Sequence, residues 1–157
     1  MKAVFTELVI SGTGATSIQD AMRKATGSLL PNVKSHHLTL AFKPTPDAVT
    51  ALPIGEIVKL TVTGFAADNR AQAVLCVVPD GLACTNEHPH ITVATGTDKE
   101  TGKAISPKTS NDVLAEVGVT TFDAPLTIEA RVGFFNGKED RFDFKGSIYA
   151  TQQLRRI

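Results

Sequence analysis

Histidine and threonine recur in this sequence in two short segments that share one pattern. The first segment reads His37-Leu-Thr-Leu-Ala and the second reads His90-Ile-Thr-Val-Ala, so each has histidine, aliphatic, threonine, aliphatic, alanine. The two copies are 90 − 37 = 53 residues apart, and all 4 histidines of the chain lie in or beside them. Scattered surface histidines would not cluster in this way, so the pattern indicates a functional site.

An imidazole and a hydroxyl two residues apart suit the cleavage of a phosphodiester. Alternate side chains of a β-strand share a face, so the histidine and the threonine of each copy point the same way. Histidine has a pKa of about 6.5, so one imidazole can deprotonate the attacking oxygen while the other protonates the leaving oxygen. The hydroxyls can donate hydrogen bonds to the phosphate oxygens. The predicted catalytic residues, which need no metal and no other cofactor, are His37, Thr39, His90 and Thr92.

The two His-x-Thr motifs resemble those of the two-histidine phosphoesterase superfamily, which includes LigT-like enzymes, RNA cyclic phosphodiesterases and phage anti-CBASS nucleases. The resemblance implies an α+β fold of two lobes, built mainly of antiparallel strands, with pseudo-two-fold symmetry and a central cleft. Each lobe would contribute one motif strand to that cleft. The resemblance also implies that His37 and His90 are the acid–base pair, and that Thr39 and Thr92 hold the phosphate.

Two classes of cyclic phosphodiester fit this resemblance. One is the 2′,3′-cyclic phosphate of an RNA end or of a small nucleotide, and the other is a cyclic oligonucleotide messenger. The chain has 16 basic and 16 acidic residues, so its net charge is zero with histidine neutral. Proteins that track long duplexes usually carry a basic excess. We therefore expect a cyclic nucleotide or an RNA end as the substrate, and no long duplex nucleic acid as a partner.

Three further residues are predicted to bind the substrate. Phe135 lies off the apolar face of its strand and is available to stack on a nucleobase. Tyr149 is the only tyrosine of a chain that has no tryptophan, so it is the other candidate for stacking. Lys43 follows the first motif and is a candidate phosphate contact.

Alternation along the first motif strand also predicts where its remaining side chains point. Phe42 has the parity of the aliphatic residue Leu38, so it is predicted to lie in the core. His36 has the same parity, so it is expected to point away from His37. Ser110 and Asn111 are predicted only to cap a helix.

The elements that must position these residues follow from the periodicity of the apolar residues. Period-two alternation predicts strands over 4–10, 36–43, 56–67, 71–79, 89–95, 125–135 and 141–149. Helical spacing predicts a helix over 17–29, capped by Thr16 or Ser17 after a loop, and a second from 107 to about 117. Neighbouring strands joined by short turns favour an antiparallel α+β fold. The length suits one domain over 1–157.

The start of the chain and its cysteines bear on location. The segment MKAVFTELVISG lacks the continuous apolar stretch of a signal peptide, and no window approaches 18 consecutive apolar residues. Cys76 and Cys84 do not form a disulfide framework. We expect no membrane association and a cytoplasmic location, either in a cell or in a virus-infected host.

Two other functions are compatible with the same residues. His88-Pro-His90 has a spacing that zinc and iron sites use, and His36 or His37 can add a ligand, which predicts a metal hydrolase. That alternative leaves both threonines without a role. A module that sequesters a nucleotide without cutting it is the other alternative, although pure binding does not require an acid–base pair.

Overall fold

The computed structural model describes residues 2–150 and consists of strands with three short or medium helices. In chain order the elements are β1 (Phe5–Ile10), α1 (Gly12–Thr26), β2 (Asn32–Val33), β3 (His37–Phe42), α2 (Pro46–Thr50), β4 (Ile57–Ala67), β5 (Ala71–Val77), β6 (His90–Thr95), α3 (Thr109–Glu116), β7 (Thr120–Phe135) and β8 (Asp140–Arg141). All pairings between these strands are antiparallel. The α+β class and the antiparallel arrangement are therefore confirmed.

Six of the strands close into a barrel. Their order is β1-β3-β6-β5-β4-β7, and β7 returns to pair with β1 from Phe5–Phe135 to Ile10–Ala130. The two short strands extend the ring, because β2 pairs with β6 and β8 pairs with β7. A closed ring leaves none of the six strands with an unpaired edge.

Apolar side chains fill the inside of this barrel because side chains alternate along each strand. The fully buried members that line it are Leu8, Leu38, Leu40, Leu60, Val62, Val74, Ile91, Val93 and Val132. Ile18 and Met22 of α1 join the same cluster and are also fully buried. Burial of each such side chain stabilises the fold by roughly 1.5–3 kcal/mol. The residues that alternate with the core positions of β3 and β6 must therefore lie on the outer face.

The first helix begins earlier than the sequence pattern predicted. It starts at Gly12 rather than at residue 17, and its N-cap is Ser11, whose hydroxyl accepts a hydrogen bond from the Gly14 amide at 2.9 Å. Glycine suits position 14 in the first turn, because an added Cβ would lie only 3.1 Å from Ile128 on β7. Gly14, which lies in the segment predicted to be a loop, instead allows the helix to approach the barrel closely.

The chain after β7 also differs from the prediction. Only Asp140–Arg141 pairs as a strand, whereas 141–149 was predicted to be one. Phe144 and Tyr149 instead pack against Phe134 in a second buried cluster. The predicted second helix agrees with α3. No helix within residues 2–150 is both long enough and apolar enough to span a bilayer.

Candidate active site

The two motif strands are direct neighbours in the barrel. β3 and β6 pair with Leu38 opposite Ile91. Since 38 + 53 = 91, these are the residues that the sequence repeat makes equivalent. The repeat in the sequence is thus matched at one position by a pairing between equivalent residues.

The four predicted catalytic side chains lie together on the outer face of the barrel. His37 and Thr39 flank Leu38 on β3, and His90 and Thr92 flank Ile91 on β6. All four line one pocket of about 750 Å³. The two imidazoles are close enough for charge on His90 to lower the pKa of His37.

An irregularity in the first motif strand shapes one side of the pocket. The amide of Ser35 donates to the carbonyl of Thr92 at 2.9 Å, whereas the next pair is Leu38 with Ile91. Between these two positions the first strand advances by three residues and β6 by one. The two extra residues are the adjacent histidines, and the backbone enters this bulge with Ser35 at a φ of 50°. Bulges of this kind change the direction in which side chains point.

His36 and His37 contact each other because of this bulge. Their Nδ1 atoms are 2.9 Å apart, and Nε2 of His36 is 3.2 Å from Oδ2 of Asp140. The prediction that His36 points away from His37 is wrong, since it assumed unbroken alternation. When His36 donates Nε2–H to Asp140, its Nδ1 accepts a hydrogen bond from Nδ1–H of His37. This tautomer leaves Nε2 of His37 with a free lone pair.

The ring of His37 is held in an apolar setting. Phe5 stacks on it with ring centroids 5.1 Å apart and an angle of 13° between the planes. Burial lowers the pKa of His37 from 6.5 to about 4, and charge on His36 and His90 contributes in the same direction, whereas Asp140 opposes it. His37 is therefore neutral near pH 7 and available to accept a proton.

His90 is oriented by the backbone rather than by a carboxylate. Its Nδ1 lies 2.7 Å from the carbonyl oxygen of His88, so Nδ1–H donates to that oxygen and Nε2 is left for the pocket. Burial lowers the pKa of His90, the hydrogen bond to His88 raises it, and charge on the His88 ring lowers it. The hydrogen bond favours the protonated ring, which is the form that a general acid needs.

The two threonines are in different states. The Thr92 hydroxyl is 2.8 Å from Oγ of Ser110 and donates to the carbonyl of Pro107 at 3.3 Å. The Thr39 hydroxyl has no hydrogen-bond partner within residues 2–150 and faces the pocket. Ser110 is fully buried on α3, so it supports Thr92 as well as belonging to a helix end. No side chain caps α3, so the predicted capping role of Ser110 and Asn111 is wrong.

Glu7 is a buried acid that the sequence analysis did not single out. Its residue is 0% exposed, and neither carboxyl oxygen has a partner of ordinary hydrogen-bond geometry within residues 2–150. Burial raises the pKa of Glu7 to about 9, and the hydrogen bonding and charge of the nearby Asp140 carboxyl add to the shift. Glu7 is therefore neutral near pH 7. The feature of the sequence that could have identified Glu7 is a single acid within the otherwise largely apolar strand FTELVI.

Glu7 also belongs to the group of residues that could hold a metal ion. One carboxylate oxygen and one ring nitrogen each of His36 and His37 lie within 4.8 Å of one another. Among residues 2–150, the pair His88 and His90 joins no such group of three, although its spacing suggested one. A metal hydrolase would therefore use a different set of ligands from the set that the sequence predicted.

The predicted substrate-binding residues lie outside the pocket lining. Tyr149 is 2% exposed and its hydroxyl accepts a hydrogen bond from the Ala3 amide at 2.7 Å, so its predicted role in stacking is wrong. Phe135 stacks on Phe5 with centroids 5.2 Å apart and does not line the pocket. Lys43 is exposed, but it also does not line the pocket. These two residues are next to the site rather than in it.

Phe42 lines the pocket instead. It is 56% exposed, so the prediction that it lies in the core is wrong. Lys34 and Lys108 line the same pocket and supply positive charge that the sequence did not distinguish from ordinary solvated lysines.

No protein-family model matches this sequence, and the search of curated proteins found no relative. The function of the chain therefore has to be inferred from the chemistry of the residues that line the pocket.

Proposed function

We propose that the protein is a metal-independent phosphodiesterase of the two-histidine type that hydrolyses a cyclic nucleotide phosphodiester. The observation that carries this proposal is the pairing of Leu38 with Ile91, which brings both His-x-Thr copies to one pocket. The pairing of these two equivalent residues of the repeat supports a two-lobed arrangement with pseudo-two-fold symmetry. Each lobe then contributes one motif strand to the cleft.

His37 acts as the base and His90 as the acid in this mechanism. Nε2 of His37 removes a proton from water, and the water oxygen attacks the phosphorus atom. The bond between phosphorus and one ribose oxygen breaks, and Nε2–H of His90 protonates that oxygen as it leaves. A pKa of about 4 keeps His37 neutral before attack. Burial lowers the pKa of His90 and the hydrogen bond to the His88 carbonyl partly offsets this, so its charged form is populated on the acid side of 6.5. Each proton transfer contributes about 10²–10⁴ in rate.

His36 and Asp140 act through His37 as positioning residues. The contacts at 2.9 Å and 3.2 Å connect the Asp140 carboxylate to Nδ1 of His37 by way of the His36 ring. This chain holds the proton of His37 on Nδ1, which is the tautomer that leaves Nε2 free for the base role. It also fixes the orientation of the ring, together with the stacked Phe5.

The phosphate is held by hydroxyl groups and lysines. Thr39 has a free hydroxyl that donates to a non-bridging oxygen, and Thr92 does the same by exchanging its bond to the Pro107 carbonyl for one to the phosphate. Lys34 and Lys108 lie on the pocket wall and offset the negative charge. Donors that are already in place stabilise charge as it develops in the transition state.

The dimensions of the pocket limit the substrate. A volume of about 750 Å³ is within the roughly 300–1,000 Å³ of small-molecule sites. It suits one nucleotide with its cyclic phosphate, either free or at an RNA end, or one linkage of a cyclic oligonucleotide.

A metal hydrolase is the second candidate, and the unpartnered carboxyl of Glu7 is the observation in its favour. A divalent ion would provide the charge that a buried carboxylate lacks. The distance of 2.9 Å between the two Nδ1 atoms favours the first proposal, because it is a hydrogen-bond distance that requires a shared proton.

A panel assay tests these possibilities. Purified protein is incubated in EDTA with 2′,3′-cyclic nucleotides, RNA ending in a cyclic phosphate, cyclic dinucleotides and cyclic trinucleotides. We expect hydrolysis of at least one class, and loss of that activity in His37→Ala and in His90→Ala with the fold retained. His88→Ala is the matched histidine variant, because it keeps the backbone carbonyl that His90 uses and its ring does not line the pocket. It should retain hydrolysis, with a changed pH dependence because charge on the His88 ring lowers the pKa of His90.

The other outcomes of the assay support a different function or contradict the proposal. Activity that disappears in EDTA and returns with a divalent ion supports a metal hydrolase. Tight binding with the ligand recovered intact, and retained by the double variant His37→Ala/His90→Ala, supports a sequestering module. Neither binding nor turnover of any substrate in the panel contradicts the proposal.

A further inference from the structure

Glu7, His36 and His37 bring three side chains that can bind a metal ion to one place beside the pocket. One carboxylate oxygen of Glu7 and one ring nitrogen of each histidine lie within 4.8 Å of one another. Glu7 is on β1, the two histidines lie where β3 begins, and these strands pair directly. Two neighbouring strands of the barrel therefore hold the group together.

The carboxyl group of Glu7 is the feature that points to a bound ligand. The residue is fully buried, and neither of its oxygens has a hydrogen-bond partner of ordinary geometry among the residues that the structure describes. Buried side-chain oxygens in folded proteins nearly always have a partner, so an unsatisfied carboxyl group calls for a functional explanation or a bound ion. A cation between Glu7 and the two imidazoles would supply the partner that the carboxylate lacks.

His36 already makes the hydrogen bond that is typical of a metal-binding histidine. Its Nε2 lies 3.2 Å from Oδ2 of Asp140, which leaves Nδ1 to bind an ion. In metal sites the second ring nitrogen usually donates to a carboxylate in this way, which fixes the ring and makes the coordinating nitrogen more basic. The side chain of His36 is half exposed and lines the pocket, so an ion can reach it from solvent.

The distances and the types of ligand favour zinc. Two nitrogens bound to one tetrahedral zinc ion are roughly 3.3 Å apart. The Nδ1 atoms of His36 and His37 are 2.9 Å apart, so they need to separate by only about 0.4 Å. A movement of the Glu7 carboxylate on the order of 1.5 Å would complete the set. Two imidazoles with one carboxylate are zinc ligands, whereas Mg²⁺ and Ca²⁺ prefer oxygen ligands alone.

We propose that Glu7, His36 and His37 form an inhibitory zinc site, in which the bound ion prevents His37 from acting as the base. Glu7 binds as a carboxylate and releases its proton to water, and Nδ1 of His37 exchanges its hydrogen bond with His36 for the ion. A neutral imidazole that coordinates through Nδ1 carries its proton on Nε2, so the lone pair that would deprotonate water is lost. The zinc site does not require the proposed function, whereas the inhibition rests on it.

Zinc binding is measured directly, without reference to activity. Protein freed of metal is titrated with ZnCl₂ in competition with a chromophoric chelator, and we expect each chain to bind one ion and excess MgCl₂ not to compete. Glu7→Gln keeps the shape of the side chain but removes the anionic ligand, and His36→Asn removes an imidazole. Each should weaken zinc binding by at least the roughly 10- to 100-fold that loss of an outer-sphere partner costs.

His88→Ala is the matched control for zinc binding by histidine in general. The pair His88 and His90 belongs to no group of three possible ligands in the described part of the chain. The zinc affinity of this variant should therefore equal that of the wild type.

Inhibition is measured with the best substrate of the panel, and each protein is compared with its own rate in EDTA. ZnCl₂ should inhibit the wild type and His88→Ala, EDTA should restore both rates, and Glu7→Gln should need at least about tenfold more zinc. Equal zinc affinity in the wild type and Glu7→Gln, or activation by zinc, overturns this proposal. Binding that depends on Glu7 in a protein without hydrolysis leaves the zinc site standing and overturns the hydrolase. Hydrolysis in EDTA without any zinc binding overturns the zinc site alone.

Discussion

The imidazoles of His36 and His37 meet through their Nδ1 atoms at 2.9 Å, with an angle of 79° between the rings. Consecutive residues of a regular strand point to opposite faces and cannot make this contact. The bulge after Ser35 makes it possible, and it joins the Asp140 carboxylate to the proposed base.

The first prediction concerns this chain of contacts. His36→Asn removes the ring that holds the proton on Nδ1 of His37, so we expect kcat/KM to fall by up to about tenfold, the equivalent of one net hydrogen bond. The acid limb of the pH profile should move to higher pH, because charge on His36 lowers the pKa of His37. A profile identical in shape to that of the wild type would show that His36 only fills space.

The second prediction concerns the pH optimum of the wild-type protein. The base must be neutral, which holds above its pKa of about 4, and the acid must be protonated, which holds below the lowered pKa of His90. The form with both properties is most abundant on the acid side of 6.5, the ordinary histidine value. Measurement of kcat/KM from about pH 4 to about pH 9 checks this, and an alkaline optimum would contradict the assigned roles.

The third prediction separates the two threonines. Thr39→Val should reduce kcat and leave the free energy of unfolding nearly unchanged, because its hydroxyl has no protein partner within residues 2–150. Thr92→Val should also lower the free energy of unfolding, by about 1–3 kcal/mol, because it leaves the buried hydroxyl of Ser110 without a partner. Urea denaturation beside steady-state kinetics distinguishes these effects. Equal stability of the two variants would contradict the contact with α3.

The fourth prediction uses Glu7. Its pKa is about 9 in the folded protein and 4.5 ordinarily, so between these values the folded state binds more protons than the unfolded state. The free energy of unfolding must then fall as the pH rises. We compare about pH 7 with about pH 8.5, an interval that lies above the reference pKa of histidine and does not exceed that of cysteine.

Glu7→Gln tests this sign. The amide has nearly the same shape and never ionises, so the stability of the variant should change much less than that of the wild type over the same interval. Urea denaturation at both pH values provides the measurement. A wild-type protein that gains stability with pH, or a variant with the same slope, would exclude a neutral Glu7.

The sequence predicted those parts of the site that depend on local alternation. His37, Thr39, His90 and Thr92 share a face because each pair is two residues apart on a strand, and the antiparallel α+β class followed from the same patterns. The pairing of β3 with β6 depends on the tertiary fold, but the repeat of 53 residues was a clue to it.

The residues that were missed depend on bulges and on long-range packing. Alternation placed Phe42 in the core and His36 on the opposite face from His37, and extra residues in the strand pairing reversed both. Glu7 was missed because the residues that it pairs with, Thr39 and Gly133, and its neighbour Asp140 are all distant in the sequence. A sequence shows which residues alternate, but it does not show where one strand has one or two extra residues relative to the strand with which it pairs.

The four motif residues lie on the outside of a barrel whose interior is filled by the core, and this placement affects how the protein can evolve. Neighbouring positions on β3 and β6 have different roles, since the inward side chains form the core and the outward side chains line the pocket. Randomising only positions 37, 39, 90 and 92 should therefore yield a large proportion of folded but inert proteins. Such a scaffold can lose one reactivity and acquire another without first having to be rebuilt.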